Sequence, residues 1–105
     1  MSDISHLPFL ADPTQVSSFC QRHHISYLGL FGSHARTDYH DGSDIDLMVA
    51  FSEPKTLFDL AALEQELETL IGKDIDIVIK DHLKSLIKPY IEQDLLTLYE
   101  ETPHE

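Results

Sequence analysis

The stretch GSHARTDYHDGSDIDLMVAF, residues 32–51, joins a Gly-Ser turn to an apolar strand that opens with two aspartates. Asp44 and Asp46 stand at i and i+2 and share one strand face with Met48 and Ala50. Ile45, Leu47, Val49 and Phe51 take the other face. Aspartate is among the poorest strand formers. Two carboxylates ~4 Å apart repel by about 4 kcal/mol at an effective dielectric of roughly 20. A domain with a total stability of only ~5–15 kcal/mol does not carry that cost idly. A lone Asp-x-Asp reads as a solvated sheet face, so the surrounding residues have to decide.

Outward from this strand, the elements alternate. DPTQVSSFCQRHH predicts a first helix, capped by Asp12, with Pro13 in its first turn and Val16, Phe19 and Cys20 on one side. Ile25 to Phe31 predicts a strand, broken by Gly32, and Ser33 to about Arg36 a short helix before the loop TDYHDGS. TLFDLAALEQELETLIG predicts the clearest helix, with Thr56 as cap, Asp59 three residues on and Gly72 as terminator. Its expected apolar face is Leu57, Leu60, Ala61, Glu64, Leu67 and Ile71. KDIDIVIK predicts a third strand, with Ile75, Ile77 and Ile79 opposite Asp74, Asp76 and Val78. A closing helical segment is expected after Asp81, with Leu83, Leu86, Ile87, Tyr90, Ile91, Leu95 and Leu98 as its apolar set and a kink or break at Pro89. The order implies an α/β (α+β) domain over residues 1–105, a small mixed sheet with helices packed on one face and a frayed acidic tail from about residue 100.

Three features then converge. The Gly32-Ser33 turn opens a helix, where backbone N–H groups and a hydroxyl suit an anion. Arg36 lies within a turn of it, available to a phosphate or to an acid. Asp76 meets Asp44 and Asp46 if the second and third strands are neighbours, and carboxylates of this kind suit Mg²⁺ with substrate phosphates. A phosphate cradle beside three acids describes phosphoryl or nucleotidyl transfer.

Gly32-Ser33, ten intervening residues and Asp44-Ile45-Asp46 resemble the signature of the DNA polymerase β-like nucleotidyltransferase superfamily. The stretch GSHARTDYHDGSDIDLMV is most similar to the minimal nucleotidyltransferase (MNT) domains, single-domain antitoxins paired with HEPN-domain toxins. The resemblance covers nearly the whole chain, with IDIVI as the third-acid strand. It implies that Asp44 and Asp46 hold Mg²⁺, two ions in all. Asp76 joins a metal or takes the proton of the attacking hydroxyl, and Gly32 and Ser33 hold the triphosphate of ATP. Arg36 and Ser43 complete the nucleotide-binding candidates. Asp74 competes with Asp76 as third acid, and Asp76 is preferred because it sits between apolar strand residues. The implied activity is transfer of AMP from ATP to a tyrosine of the cognate HEPN RNase toxin. The alternatives are a stoichiometric antitoxin without catalysis and a small-molecule, antibiotic-type nucleotidyltransferase.

Composition narrows the partners. The net charge of −12 repels nucleic-acid phosphates, so direct nucleic-acid binding is not expected, whereas metal cations or a basic protein are attracted. No apolar run approaches the ~20 residues that span a bilayer, and the first residues lack a signal-peptide pattern. One cysteine, Cys20, allows no internal disulfide, which points to the cytoplasm. A chain of this length leaves little room for an acceptor-binding domain, so the acceptor is expected to arrive on another protein. His23, His24, His34 and His40 lack zinc spacing with cysteine, and surface or capping roles are expected of them, with nucleotide contact the alternative for His34 and His40.

Overall fold

A computed structural model describes residues 4–36, 38–40, 42–82 and 88–101. Its elements follow as α1 (Pro13–Arg22), β1 (Ile25–Phe31), α2 (Ser33–Arg36), β2 (Ile45–Phe51), α3 (Leu57–Ile71), β3 (Ile75–Ile79), a 3-10 turn (Lys80–His82), α4 (Lys88–Gln93) and β4 (Leu96–Glu100). Four strands form one mixed sheet in the order β3-β2-β1-β4. β1 runs antiparallel to both β2 and β4, while β2 and β3 are parallel. Parallel neighbours need a crossover, and α3 supplies it.

The caps act as their residue types predict. Asp12 accepts hydrogen bonds from the backbone N–H groups of Thr14 and Gln15 at 3.0 and 3.3 Å. Thr56 and Asp59 form a reciprocal capping box, and Gly72 ends α3 with a left-handed φ of 81°. Leu7, Phe9 and Leu10 join Val16, Phe19 and Cys20 of α1 and Leu63 and Leu67 of α3 over one face of the sheet, against Leu28, Leu30, Ile45, Leu47 and Val49. Burial pushes the Cys20 thiol up to about 12, which keeps it a small apolar group.

Several expectations need correction. The buried side of α3 is Leu63 and Leu67, flanked by half-buried Leu60 and Ile71, while Leu57 and Ala61 are exposed. At about 1.5 Å per residue α3 is about 22 Å long, against about 17 Å for the five residues of β3. A helix longer than its strand has turns that the strand does not cover. The closing segment is also not one helix. α4 spans only Lys88–Gln93, and Leu98 lies in β4, with Leu95 just before it. Pro89 is tolerated in the first turn of α4, where its missing N–H has no helical partner to lose. Beyond Gln93 the chain turns and satisfies the second edge of β1 instead. The pairing runs to Glu100, so residue 100 is strand rather than the start of the expected frayed tail. Leu83, Leu86 and Ile87 lie outside the described residues.

Helices are expected on one face only, but α4 packs on the second sheet face, which has two parts. Tyr27, Met48 and Ala50 form a small apolar cluster there, packed by Phe31, Ile91 of α4 and Leu95. At the sheet end where β1 finishes and β2 and β3 begin, that face carries aspartates instead. No helix among the described residues is long and apolar enough to cross a membrane.

Candidate active site

The site begins where β1 stops. Gly32 has φ +77°, a backbone conformation that L side chains rarely adopt. A Cβ there would also run into the Asp46 carboxylate. The glycine thus serves both the turn and the close approach. Its carbonyl accepts from the N–H groups of Ala35 and Arg36, both at 3.1 Å, which starts α2.

Register brings the acids together. Asp46 is paired with Phe31 of β1 on one side and with Asp76 of β3 on the other. Asp44 stands one residue before β2, and the Ile45 N–H donates to the Asp74 carbonyl at 3.0 Å. Burial raises the Asp46 pKa above the ordinary carboxylate range, and the charges of Asp76 and Asp44 raise it further. The charge of Arg36 opposes the rise only in part. Asp46 is therefore the point where the negative charge of the site concentrates.

Oxygen donors alone suit Mg²⁺, and a cation would relieve the repulsion around Asp46. The carboxylate donor set fits such an ion, and the Gly32 turn suits the phosphates that would accompany it. Among the described residues, no three His, Cys, Asp or Glu side chains already stand at metal-holding spacing. Like charges favour that spread.

The remaining candidates are placed less directly. Ser33 is half-buried at the start of α2. Arg36 is engaged by two acids, its Nη1 donating to Asp94 at 3.0 Å and its Nε to Asp38 at 3.3 Å. Those bonds, to Asp94 first and then Asp38, hold the guanidinium pKa above its ordinary value. Of the two partners open to Arg36, acid or phosphate, the fold supplies the acids. Ser43 shapes the turn before Asp44: its N–H donates to the His40 carbonyl at 2.8 Å, and its Oγ accepts from the His40 N–H at 3.0 Å. Gly42, Ser43, Asp44, Gly72, Lys73 and Asp74 line an open cleft of about 600 Å³ at this end of the sheet.

His34 departs from the surface role expected of it. It is fully buried. Its Nδ1 faces His6 Nε2 at 3.0 Å and its Nε2 faces the Ser43 carbonyl at 3.2 Å. Both ring nitrogens are occupied, which removes nucleotide contact as its task. His40 remains exposed. Local sequence carried no signal for His34, because its partner His6 lies 28 residues away.

The chain matches the family described as Polymerase beta, Nucleotidyltransferase over residues 14–104. It is similar to a protein of Methanocaldococcus jannaschii provisionally named a protein adenylyltransferase, 39% identical over 70 residues, covering 67% of this chain and 75% of that one. The protein adenylyltransferase MntA of Thermococcus cleftensis is 34% identical over 76 residues, with 72% and 77% covered. Among solved structures, one provisionally named a minimal nucleotidyltransferase superposes with TM-score 0.70 at 37% identity, covering 82% of this chain and 88% of that one. A toxin-antitoxin crystallised with AMP-PNP gives TM-score 0.72 at 18% identity, covering 87% and 75%. A tri-AMPylated Shewanella oneidensis HEPN toxin in complex with its MNT antitoxin gives 0.63 at 17%, covering 84% and 69%. The last two share the fold.

Proposed function

The chain belongs to the polymerase β-type nucleotidyltransferase family, and on that premise we propose that it is a cytoplasmic antitoxin that transfers AMP from ATP to a tyrosine of a cognate HEPN-domain toxin. The carrying observation is the register pairing of Asp46 with Asp76 beside Gly32, with Asp44 at the entry of the same strand. Relatives named as protein adenylyltransferases support a protein acceptor. A neighbour in fold that contains an AMPylated HEPN toxin supports the class of that protein.

In this reading Gly32 and Ser33 hold the triphosphate at the mouth of α2. Asp44, Asp46 and Asp76 would hold Mg²⁺, which when bound offsets the charge of the triphosphate and of the leaving pyrophosphate. The acceptor oxygen attacks the α-phosphorus, a new P–O bond forms, and the bond to pyrophosphate breaks. Asp76, exposed at the sheet edge, is the group to take the phenolic proton. Arg36 and Ser43 contact the nucleotide only by exchanging the partners that now engage them.

The test is intact-mass analysis of a HEPN-domain protein encoded by an adjacent gene after incubation with this chain and Mg-ATP. AMP-sized increments on the toxin are expected, and they should localise to tyrosine. Tight binding without increments would replace the reading by stoichiometric neutralisation. Neither binding nor increments would point to a small-molecule acceptor.

A further inference from the structure

We propose that His34 is a positioning residue for the carboxylate site, clamping the Gly-Ser turn to the strand that carries Asp44 and Asp46, with His6 and Tyr39 as its support. The inference rests on the nucleotidyl-transfer reading of that site.

The chemistry of the clamp follows from its partners. A carbonyl oxygen only accepts, so the proton on Nε2 of His34 is directed at Ser43. In the neutral ring Nδ1 is then the acceptor, and His6 Nε2 is the donor to it at 3.0 Å. Tyr39 stacks on both rings, 4.0 Å from His6 and 4.6 Å from His34, at interplanar angles of 9° and 14°. The two imidazoles lie within 18° of parallel. A fully buried imidazole with both nitrogens satisfied is held in one orientation.

Its position gives that rigidity a use. His34 directly follows Ser33, while the Ser43 carbonyl belongs to the peptide plane that carries the Asp44 N–H. One side chain therefore ties together the two ends of the ten-residue excursion between Ser33 and Asp44. Two residues earlier the Asp46 carboxylate occupies the space that a Cβ on Gly32 would need. Loss of the His34 tie leaves the Ser43–Asp44 peptide free to rotate while the β1–β2 ladder stays in register. The expected deficit is in gathering the acids around a cation, not in folding.

The experiment measures binding of Mn²⁺ with a non-hydrolysable ATP analogue by calorimetry, alongside metal-free thermal melting. It uses the wild-type chain and the variants His34→Phe, His34→Gln and His6→Phe. His34→Phe keeps a ring against Tyr39 but leaves the Ser43 carbonyl unpaired. It should weaken metal–nucleotide affinity by about 10- to 100-fold, the usual cost of losing an outer-shell orienting group. His34→Gln restores a donor and should recover most of that loss. His6→Phe should show a smaller deficit with His34 still in place. In transfer assays the loss should enter the KM for Mg-nucleotide more than kcat. Wild-type affinity in His34→Phe would overturn the inference while leaving the reading of the site intact. So would equal losses in the Phe and Gln variants that merely track their melting temperatures. If His34→Phe does not fold, His6→Phe decides: a deficit there beyond its change in melting temperature supports the clamp, and wild-type affinity overturns it. Absence of metal–nucleotide binding by the wild-type chain would overturn the reading of the site, and the clamp with it.

Discussion

β2 and β3 are entered through the same tripeptide, Asp44-Ile45-Asp46 and Asp74-Ile75-Asp76, laid side by side in parallel register. Both isoleucines are buried in the same core. The aspartates diverge. Asp46 is on an interior strand, half-buried against the Gly32 turn, whereas Asp76 lies exposed on the edge strand. The neighbour on the far side makes the difference: β2 is flanked by the end of β1 and its Gly-Ser turn, and β3 has no strand beyond it among the described residues. Identical tripeptides thus take different surroundings from their strand order.

Replacement of Asp46 probes the comparison most severely. Asp46→Asn should reduce transfer by about 10³-fold or more, read as AMP incorporation from labelled ATP. The same change should raise the metal-free melting temperature at neutral pH. The raised folded-state pKa means that the protonated carboxyl adds stability below the ordinary carboxylate range, and that this stability is lost as pH rises through the raised value. At neutral pH the ionised group is a net cost, so the asparagine relieves it. Because Asp46 is partly solvated, screening limits the gain to a few degrees. Near pH 3 the gain should vanish. An unchanged melting temperature at neutral pH would place the concentrated charge elsewhere.

Asp76→Asn against Asp74→Asn asks whether register or mere proximity selects the third acid. Asp76 is the register partner of Asp46; Asp74 precedes β3, and its carbonyl is what Ile45 uses. Loss of a general base costs about 10²–10⁴-fold, so the Asp76 variant should fall in that range, with the Asp74 variant within a few-fold of wild type. Reversed outcomes would exchange their roles.

The polar half of this arrangement is legible in the sequence because it contradicts local propensity. Aspartates at the mouth of an apolar strand, and a glycine before a serine at the end of another, need a reason beyond the backbone. The β2-α3-β3 unit is equally legible, since Thr56, Asp59 and Gly72 mark the ends of the helix by local hydrogen bonding. The parts that escape are those decided by distant partners. Leu95 and Leu98 fit a helical face as well as a strand, and the open edge of β1 decides between them. His34 looks like a surface residue until His6 arrives from 28 positions away. Arg36 is ambiguous between phosphate and acid until Asp94, just past the end of α4, reaches it.

Gly32→Ala tests the contact that distinguishes the interior tripeptide from the edge one. A Cβ meets both the Asp46 carboxylate and a positive φ. Such strain costs about 1–3 kcal/mol. A displaced carboxylate should lower transfer by about 10²-fold, because positioning errors near 1 Å carry penalties of that order. Gly72, also at positive φ but with open space where a methyl group would stand, is the control: its alanine variant should lose stability without a comparable loss of transfer per folded molecule.

The smallest expected effect lies at the far end of the crossover. Thr56 Oγ accepts from the Asp59 N–H at 3.1 Å, and the Asp59 carboxylate accepts from the Thr56 N–H at 2.9 Å. Those two bonds hold the Asp59 pKa below the ordinary carboxylate range. The associated stability is present above that range and is lost as pH falls through the lowered value. Thr56→Ala should lower the melting temperature by about 4 °C near neutral pH, with the deficit narrowing in acid. Transfer per folded molecule should stay within about twofold of wild type, because the cap starts the helix and the strand pairing itself sets the register of Asp46 against Asp76. A larger fall in transfer at temperatures where the variant is folded would mean that the start of α3 helps to align the two tripeptides.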